Sequence, residues 1–226
     1  KDDIIEIASV DMVKGGGVSN RMQTLVALPA GKDIPPEASA VHHIIASDLE
    51  GAPKFAEAIT RFQGADVYVA HNCAFERGFL AAQEVIMGPT LHRSGEAAPW
   101  LCTYKCALRV WPDLDSHSNQ SLRYHFNIVT PFGYARDAIS VHRAGSDVIV
   151  TAAILEKLLA AAAWSDLIDW SKEPALYTKL HFGKHRGQRY DRVDGDYLGW
   201  LLRQKDMDDG VRFSAQHWLA LREVAA

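Results

Sequence analysis

The sequence has little cysteine and no long apolar run. Its 226 residues include three cysteines, none of which forms a Cys-x-x-Cys pair, so their spacing does not predict a structural zinc site. Since an odd number of cysteines cannot complete a set of disulfides, we expect reduced thiols in a cytoplasmic protein. The longest apolar stretch, residues 151–164, is interrupted by Glu156 and Lys157, which excludes a membrane-spanning helix.

The chain also lacks the strong positive charge that is typical of proteins that bind nucleic acids. Its formal net charge is −4, and 48% apolar with 23% charged residues is an ordinary globular composition. The charge is uneven, because residues 1–170 carry 14 basic and 20 acidic side chains whereas residues 171–226 carry 10 basic and 8 acidic ones. A basic run in the C-terminal part is typical of either a solvated face or a phosphate-binding patch. Its members are Lys179, Lys184, Arg186, Arg189 and Arg192.

Strand and helix patterns alternate along the first 165 residues, which predicts an α/β domain. A segment rich in Ile and Val at 4–13 and a second segment at 21–28, joined through three consecutive glycines, predict a hairpin. The second segment has Met22, Thr24, Val26 and Leu28 on one face. Residues 172–226 are predicted to form a small α+β appendage with a strand at 176–182, a turn at 182–187 and two helices. The remaining expected elements are strands at 66–71 and 100–103 and helices at 37–42, 53–64, 74–87, 104–110, 118–126 and 141–163.

Two acidic residues, Glu76 and Asp147, are predicted in the first turns of helices. Either one alone is explained equally well as an acid that the helix dipole favours. Together they favour a divalent-cation site, because carboxylates that approach one another inside a fold repel strongly unless a cation lies between them.

His142 lies five residues before Asp147, and five steps of about 100° would place the two side chains on different faces of a regular helix. The two side chains converge only if His142 stands in the turn before the helix. A histidine in that position is suited to removing a proton from water near neutral pH, although a single histidine is more commonly structural.

Several segments resemble the DEDD 3′→5′ exonucleases, in the histidine subgroup of that family. His71-Asn72-Cys73-Ala74-Phe75-Glu76 is similar to the second motif, His-Asn-x-x-Phe-Asp, and residues 142–147 are similar to the third motif, His-x5-Asp. Residues 4–11 resemble the second strand of the family, and residues 41–45 fall where it has a His-Gly-Ile-Thr-like segment. Each motif is weak alone, but they occur in the order of the family.

The C-terminal part extends the resemblance to nearly the whole chain. Phe182-Gly183-Lys184-His185-Arg186-Gly187 resembles the Phe-Gly-Lys-Tyr-Arg-Gly turn of the exodeoxyribonuclease X-like branch, and residues 100–106 followed by Trp111-Pro112 also fit that branch. Lys184 and Arg186 in this turn are expected to contact nucleic-acid phosphates. The alternative is that the turn docks the appendage against the first domain.

The resemblance implies an RNase H-like mixed sheet flanked by helices, whose acids hold two Mg²⁺ or Mn²⁺ ions. It implies that Asp147 is a direct metal ligand, that Glu76 helps to hold the second metal and that His142 is the general base. Asn72 is expected to lie against the nucleic acid and, with Phe75, to shape the second motif. The implied activity is hydrolysis of phosphodiester bonds at DNA 3′ ends, with single strands preferred, as in DNA repair.

Two departures from the family pattern affect this expectation. The first motif, Asp-x-Glu, would lie upstream of Lys1, so the exonuclease domain at 1–165 is expected to be an incomplete part of a longer gene product with a gap at the centre of its sheet. Glu6 does not replace that motif, because it aligns with a non-catalytic glutamate of the next strand. Glu76 also stands where the family has aspartate, and a displacement of about 1 Å can cost on the order of 10²-fold in rate.

Two other functions remain open at this point. The chain could be a catalytically impaired nuclease-fold module that only binds nucleic acid, which the absent first motif and Glu76 favour. It could also be an exonuclease that trims RNA, which differs in how the site treats the 2′-hydroxyl. The turn at 182–187 favours DNA. Most of the six tryptophans are expected to be core or interdomain anchors rather than base-stacking platforms.

Overall fold

The chain opens with the predicted hairpin. The computed structural model describes residues 3–13, 15–87, 98–140 and 142–225, so most of the loop expected at 88–98 lies outside the described residues. Strand β1 (Glu6–Met12) pairs antiparallel with β2 (Val18–Leu25), with an irregular register between Ser9 and Asp11. Gly15, Gly16 and Gly17 all have positive φ, as the tight connection requires.

A second pair of strands is parallel and lies apart from the hairpin. Strand β3 (Tyr68–Ala70) pairs with β4 (Trp100–Cys102), and each leads directly into a helix, α3 (Cys73–Met87) and α4 (Thr103–Val110). The α/β class is confirmed. Among the described residues, however, the strands form two separate two-stranded sheets and not one continuous mixed sheet.

The longest helix begins later than the sequence pattern predicts. Helix α6 (Ala144–Ala161) leaves His142 outside it, in a left-handed conformation with φ 59°. The apolar pattern of residues 141–163 predicts Val148, Ala152, Leu155 and Leu159 on the core side of this helix. The position of Leu159 is wrong, because Leu159 is exposed and Leu158 is fully buried. Further α-helices of the described residues are α1 (Pro36–His42), α2 (Phe55–Ile59), α5 (Asn119–His125) and α7 (Trp164–Lys172).

The main hydrophobic cluster packs α4, α5, α6 and α7 on β4. Full burial of one leucine contributes roughly 1.5–3 kcal/mol, so this cluster fixes the position of α6. Its fully buried members include Leu101, Leu122, Val150, Ile154, Leu158 and Leu167. No single helix of the described residues is long and apolar enough to cross a membrane. Helices α6 and α7 together have the length and composition of a membrane span, but the angle between them is bent by 117°.

The C-terminal region has its own apolar cluster. Helices α8 (Gly195–Leu202) and α9 (Asp209–Ala225) pack around Leu180, Tyr190 and Leu198. The two predicted helices are confirmed. The strand expected at 176–182 is wrong, because within the described residues only an isolated bridge forms there, between Lys179 and Arg189. Backbone hydrogen bonds still join the two sides of the turn, from the Leu180 amide to the Gln188 carbonyl and from the Tyr190 amide to the Thr178 carbonyl, both at 2.9 Å.

Polar contacts connect the two clusters. The Thr178 hydroxyl donates to the Pro112 carbonyl at 2.9 Å, and Lys179 Nζ lies 2.6 Å from Asp115 Oδ1. Arg189 pairs with Asp113, and the Arg109 guanidinium lies above the ring of Phe213. The boundary between residues 165 and 172 stays a prediction. Helix α7 crosses it and buries Leu167 in the main cluster.

Candidate active site

The start of α6 is held by a buried carboxylate from β1. The Glu6 side chain is only 6% exposed, and both of its oxygens accept hydrogen bonds from Arg143. It also accepts from the Ala144 amide at 2.8 Å and from Gln23 Nε2 at 2.6 Å. Burial acts to raise the pKa of Glu6, but these hydrogen bonds outweigh it and lower the pKa. A charged Glu6 therefore caps the positive end of α6.

Asp147 lies in the first turn of the helix that Glu6 anchors. The side chain is half-buried, and its Oδ1 accepts a hydrogen bond from Gln120 Nε2 at 3.2 Å. Burial is the main cause that raises the pKa of Asp147, and the nearby charge of Glu6 adds to it, whereas His142 and the Gln120 hydrogen bond act in the opposite direction. This carboxylate is therefore poorly solvated and gains from a neighbouring cation.

His142 stands before the helix, as convergence with Asp147 requires. The side chain is exposed, and its charge is close enough to influence the pKa of Asp147. The conformation with positive φ at His142 turns the chain immediately before α6 begins. The structure thus brings together His142 and Asp147, the two ends of the His-x5-Asp segment.

Glu76 lies in the first turn of α3 with an unusual environment. Its Oε2 atom is buried and has no hydrogen-bond partner among the described residues. Burial raises the pKa of Glu76 to about 7, and the neighbouring Cys102 adds to the shift. An orphaned carboxylate oxygen is a group that a bound cation would satisfy.

The carboxylates of Glu76 and Asp147 suit Mg²⁺ or Mn²⁺, since hard cations prefer oxygen ligands. Within the described residues, no three His, Cys, Asp or Glu side chains are placed to hold a metal ion. Further oxygen ligands, from water, from a substrate phosphate or from the acids expected in the first motif, would therefore be needed to complete such a site.

His71, the first residue of the second motif, is structural. One ring nitrogen lies 2.8 Å from the His117 carbonyl, to which it donates, and the other lies 3.0 Å from the Thr103 hydroxyl. These contacts tie the end of β3 to the start of α4 and to the loop before α5. Burial lowers the pKa of His71 to about 4, and the hydrogen bond to His117 only partly opposes this effect.

This low pKa predicts a loss of stability in acid. The unfolded chain binds more protons than the folded one between about pH 6.5 and about pH 4, so stability is full above pH 6.5 and falls as the pH decreases through this window. The free energy of unfolding should fall by about 2–3 kcal/mol on this account. Urea denaturation at a series of pH values measures it.

The matched variants for this prediction are His71→Asn and His125→Asn, since His125 is exposed. The pH dependence between 6.5 and 4 should become shallower in His71→Asn and should stay as in the parent protein in His125→Asn. If the free energy of unfolding changed equally with pH in all three proteins, His71 would not be the group that titrates.

The three residues expected to contact nucleic acid are all exposed. Asn72 has φ 74° and turns the chain from β3 into α3, beside Phe75, which is 63% exposed. Lys184 and Arg186 lie on the surface of the turn in the C-terminal region. Contacts with residues 112–115 are made by Thr178, Lys179 and Arg189. The phosphate-binding role of Lys184 and Arg186 and the docking alternative both stay predictions.

Sequence reasoning missed the residues that position Asp147. Glu6 aligns with a non-catalytic glutamate of the family, and in the structure it caps α6. Arg143 and Gln23 donate hydrogen bonds to Glu6, and Gln120 donates one to Asp147. One signal was present, because Glu6 stands between Ile5 and Ile7, and an acid buried among apolar residues requires a polar partner. Arg143, directly after His142, is that partner.

Comparisons with known proteins bear on this site. A family model described as Exonuclease, of the RNase T type, matches residues 1–155. Exodeoxyribonuclease 10 of Escherichia coli (strain K12) is 34% identical over 224 residues, covering 96% of this chain and 92% of that protein. DNA polymerase III subunit epsilon of Treponema pallidum is 30% identical over 165 residues, covering 71% of this chain and 70% of that protein.

A solved structure is also similar. Exonuclease X in complex with 5′ overhanging duplex DNA aligns with a TM-score of 0.56 and 29% sequence identity. The alignment covers 74% of this chain and 90% of that one.

Proposed function

This chain belongs to the exonuclease family, and we propose that it removes nucleotides from the 3′ ends of DNA with the help of bound Mg²⁺ or Mn²⁺. The RNase H-like α/β fold is shared with a relative whose solved structure contains duplex DNA. The observation that carries the proposal is the half-buried Asp147 carboxylate, held at the start of α6 beside His142.

The side chains of this chain have distinct proposed roles. When bound, divalent cations would lower the pKa of the attacking water and offset charge on the leaving 3′ oxygen. Asp147 and Glu76 are the residues that would hold them, because both carboxylates are poorly solvated. His142 accepts the proton of the water on a ring nitrogen, which its exposed position before α6 allows.

The rest of the site holds these groups in place and guides the substrate. Glu6 and Arg143 position the first turn of α6. Asn72 lies against the terminal nucleotide, and Lys184 and Arg186 contact phosphates further along the strand. Single-stranded 3′ ends are the preferred substrate, since unpaired nucleotides can enter the site without the cost of separating a duplex.

The test is hydrolysis of DNA by the purified protein. A single-stranded oligonucleotide labelled at its 5′ end should shorten one nucleotide at a time in the presence of Mg²⁺ or Mn²⁺ and should stay intact in EDTA. An oligonucleotide whose 3′ terminus is chemically blocked should not be shortened. Cleavage that begins at the 5′ end, or that continues in EDTA, would contradict the proposal.

A second candidate function is binding without hydrolysis. Two observations favour it: Glu76 replaces the aspartate of the motif, and no cluster of three metal ligands forms among the described residues. Under this alternative the protein binds single-stranded DNA in the presence of Mg²⁺ and leaves its length unchanged. RNA of the same sequence, used in the same assay, tests the remaining alternative of an RNA-trimming enzyme.

A further inference from the structure

A pair of stacked aromatic rings lies on α8, formed by partly buried Tyr197 and exposed Trp200. The rings of Tyr197 and Trp200 are 5.3 Å apart at an interplanar angle of 29°, and Trp200 is 43% exposed. We call this pair the aromatic platform. The expectation that tryptophans serve mostly as core or interdomain anchors does not describe Trp200, because a large part of its surface faces solvent.

The turn at 183–187 packs directly on the platform. Lys184 Nζ lies 5.1 Å above the centre of the Tyr197 ring, and the His185 ring meets the same ring edge-on at 4.5 Å. Gly183 allows this approach, since its φ is +68° and a Cβ there would lie 2.7 Å from the Tyr197 hydroxyl. The platform and the basic turn are therefore one surface.

Charge complements the aromatic rings on this surface. Lys184 and Arg186 are exposed, and exposed Arg203 follows Trp200 by three residues, on a neighbouring part of the helix surface. The opposing acids, Asp194 and Asp196, lie at the N-terminal end of α8, where the Asp194 carboxylate accepts a hydrogen bond from the Asp196 amide. Cations beside an open aromatic face are the combination that binds single-stranded nucleic acid.

We propose that the aromatic platform, with Lys184 and Arg186, is a second nucleic-acid-binding site that holds an unpaired stretch of the substrate strand. A base stacks on Trp200, and the two cations contact the adjoining phosphates. The site lies beyond residues 1–155, which the family model matches. This inference rests on the proposed function for its choice of ligand, but it concerns binding and not hydrolysis.

The experiment separates stacking from charge with two ligands of equal length. One is a fluorescent oligothymidylate, and the other is an oligomer in which every nucleotide is abasic, so that it keeps the phosphates and lacks the bases. Binding to the full chain is measured by fluorescence anisotropy in EDTA, which prevents hydrolysis, over a series of salt concentrations.

Trp200→Ala should weaken binding of oligothymidylate by about 5- to 150-fold, as expected for one lost base stack, and should leave binding of the abasic oligomer unchanged. Trp200→Phe, which keeps an aromatic ring, should restore most of the affinity and shows that the helix still folds. Trp164→Ala is the matched control, because Trp164 is 46% exposed at the start of α7, outside the platform. It should bind both ligands as the parent protein does.

Lys184→Ala combined with Arg186→Ala should weaken the binding of both ligands to the same extent. The slope of log affinity against log salt should fall by about 1.4, or roughly 0.7 for each lost phosphate contact on a single strand. Lys172→Ala, which removes an exposed charge of α7, should leave the slope unchanged.

Two results would overturn the inference. One is an equal loss of affinity for oligothymidylate and the abasic oligomer in Trp200→Ala, and the other is no loss for either. The proposed function fails separately, through the hydrolysis assay: absent hydrolysis with an intact Trp200 effect would reject the exonuclease activity and keep the binding site.

Discussion

Asp147→Asn should abolish hydrolysis of DNA while the protein stays folded. The substitution keeps an oxygen that can accept the hydrogen bond from Gln120, but it removes the negative charge that we propose holds a cation. Because burial raises the pKa of Asp147, the folded state disfavours this charge, and its removal should leave the melting temperature equal or higher. Product release from a labelled oligonucleotide and thermal unfolding measure the two effects.

The matched control is Asp169→Asn, the same change at an exposed acid that pairs with Lys172 on α7. It should retain full hydrolysis, since surface ion pairs contribute little to stability. A structural role for Asp147 predicts the reverse pattern, in which Asp147→Asn lowers the melting temperature and activity falls only as far as the folded fraction does.

His142→Gly should slow hydrolysis by roughly 10²–10⁴-fold, the range for a lost general base. Glycine is the suitable substitution because His142 has φ 59°, which glycine adopts without strain. Free imidazole added to the variant should recover part of the rate by replacing the missing ring, and it should not accelerate the parent enzyme. Single-turnover measurements with the enzyme in saturating excess over the oligonucleotide isolate this step.

His43→Gly provides a close control, since His43 is also exposed and also has positive φ, at the end of α1. It should hydrolyse DNA at the parent rate with or without imidazole. If His142→Gly retained full activity, or if imidazole helped both variants equally, His142 would not be the base.

The sequence predicted most elements because their signals are local. The glycine-rich hairpin and the short strands before α3 and α4 follow from turn residues and periodicity. Periodicity alone places His142 inside the helix expected at 141–163, whereas convergence with Asp147 requires His142 to precede the helix. The structure confirms that arrangement.

The rest depended on contacts between distant residues. Glu6 reaches Arg143 across 137 positions, and no local pattern reveals that pairing. The core side of α6 was also partly wrong at Leu159, since a helix that is apolar on most sides does not indicate which residue faces its neighbours. Trp200 is exposed on α8 while Leu198 and Leu201 are buried, and composition alone cannot predict which side of the helix packs.

The polar connection between the two apolar clusters has a consequence for how the molecule opens. Exposed ion pairs such as Lys179 with Asp115 weaken as ionic strength rises, whereas the apolar clusters on either side do not. The C-terminal helices can therefore detach as a cooperative unit without disturbing α6. In native-state hydrogen exchange, amides of α8 and α9 should share one opening free energy that falls with salt, and those of α6 should keep a higher value.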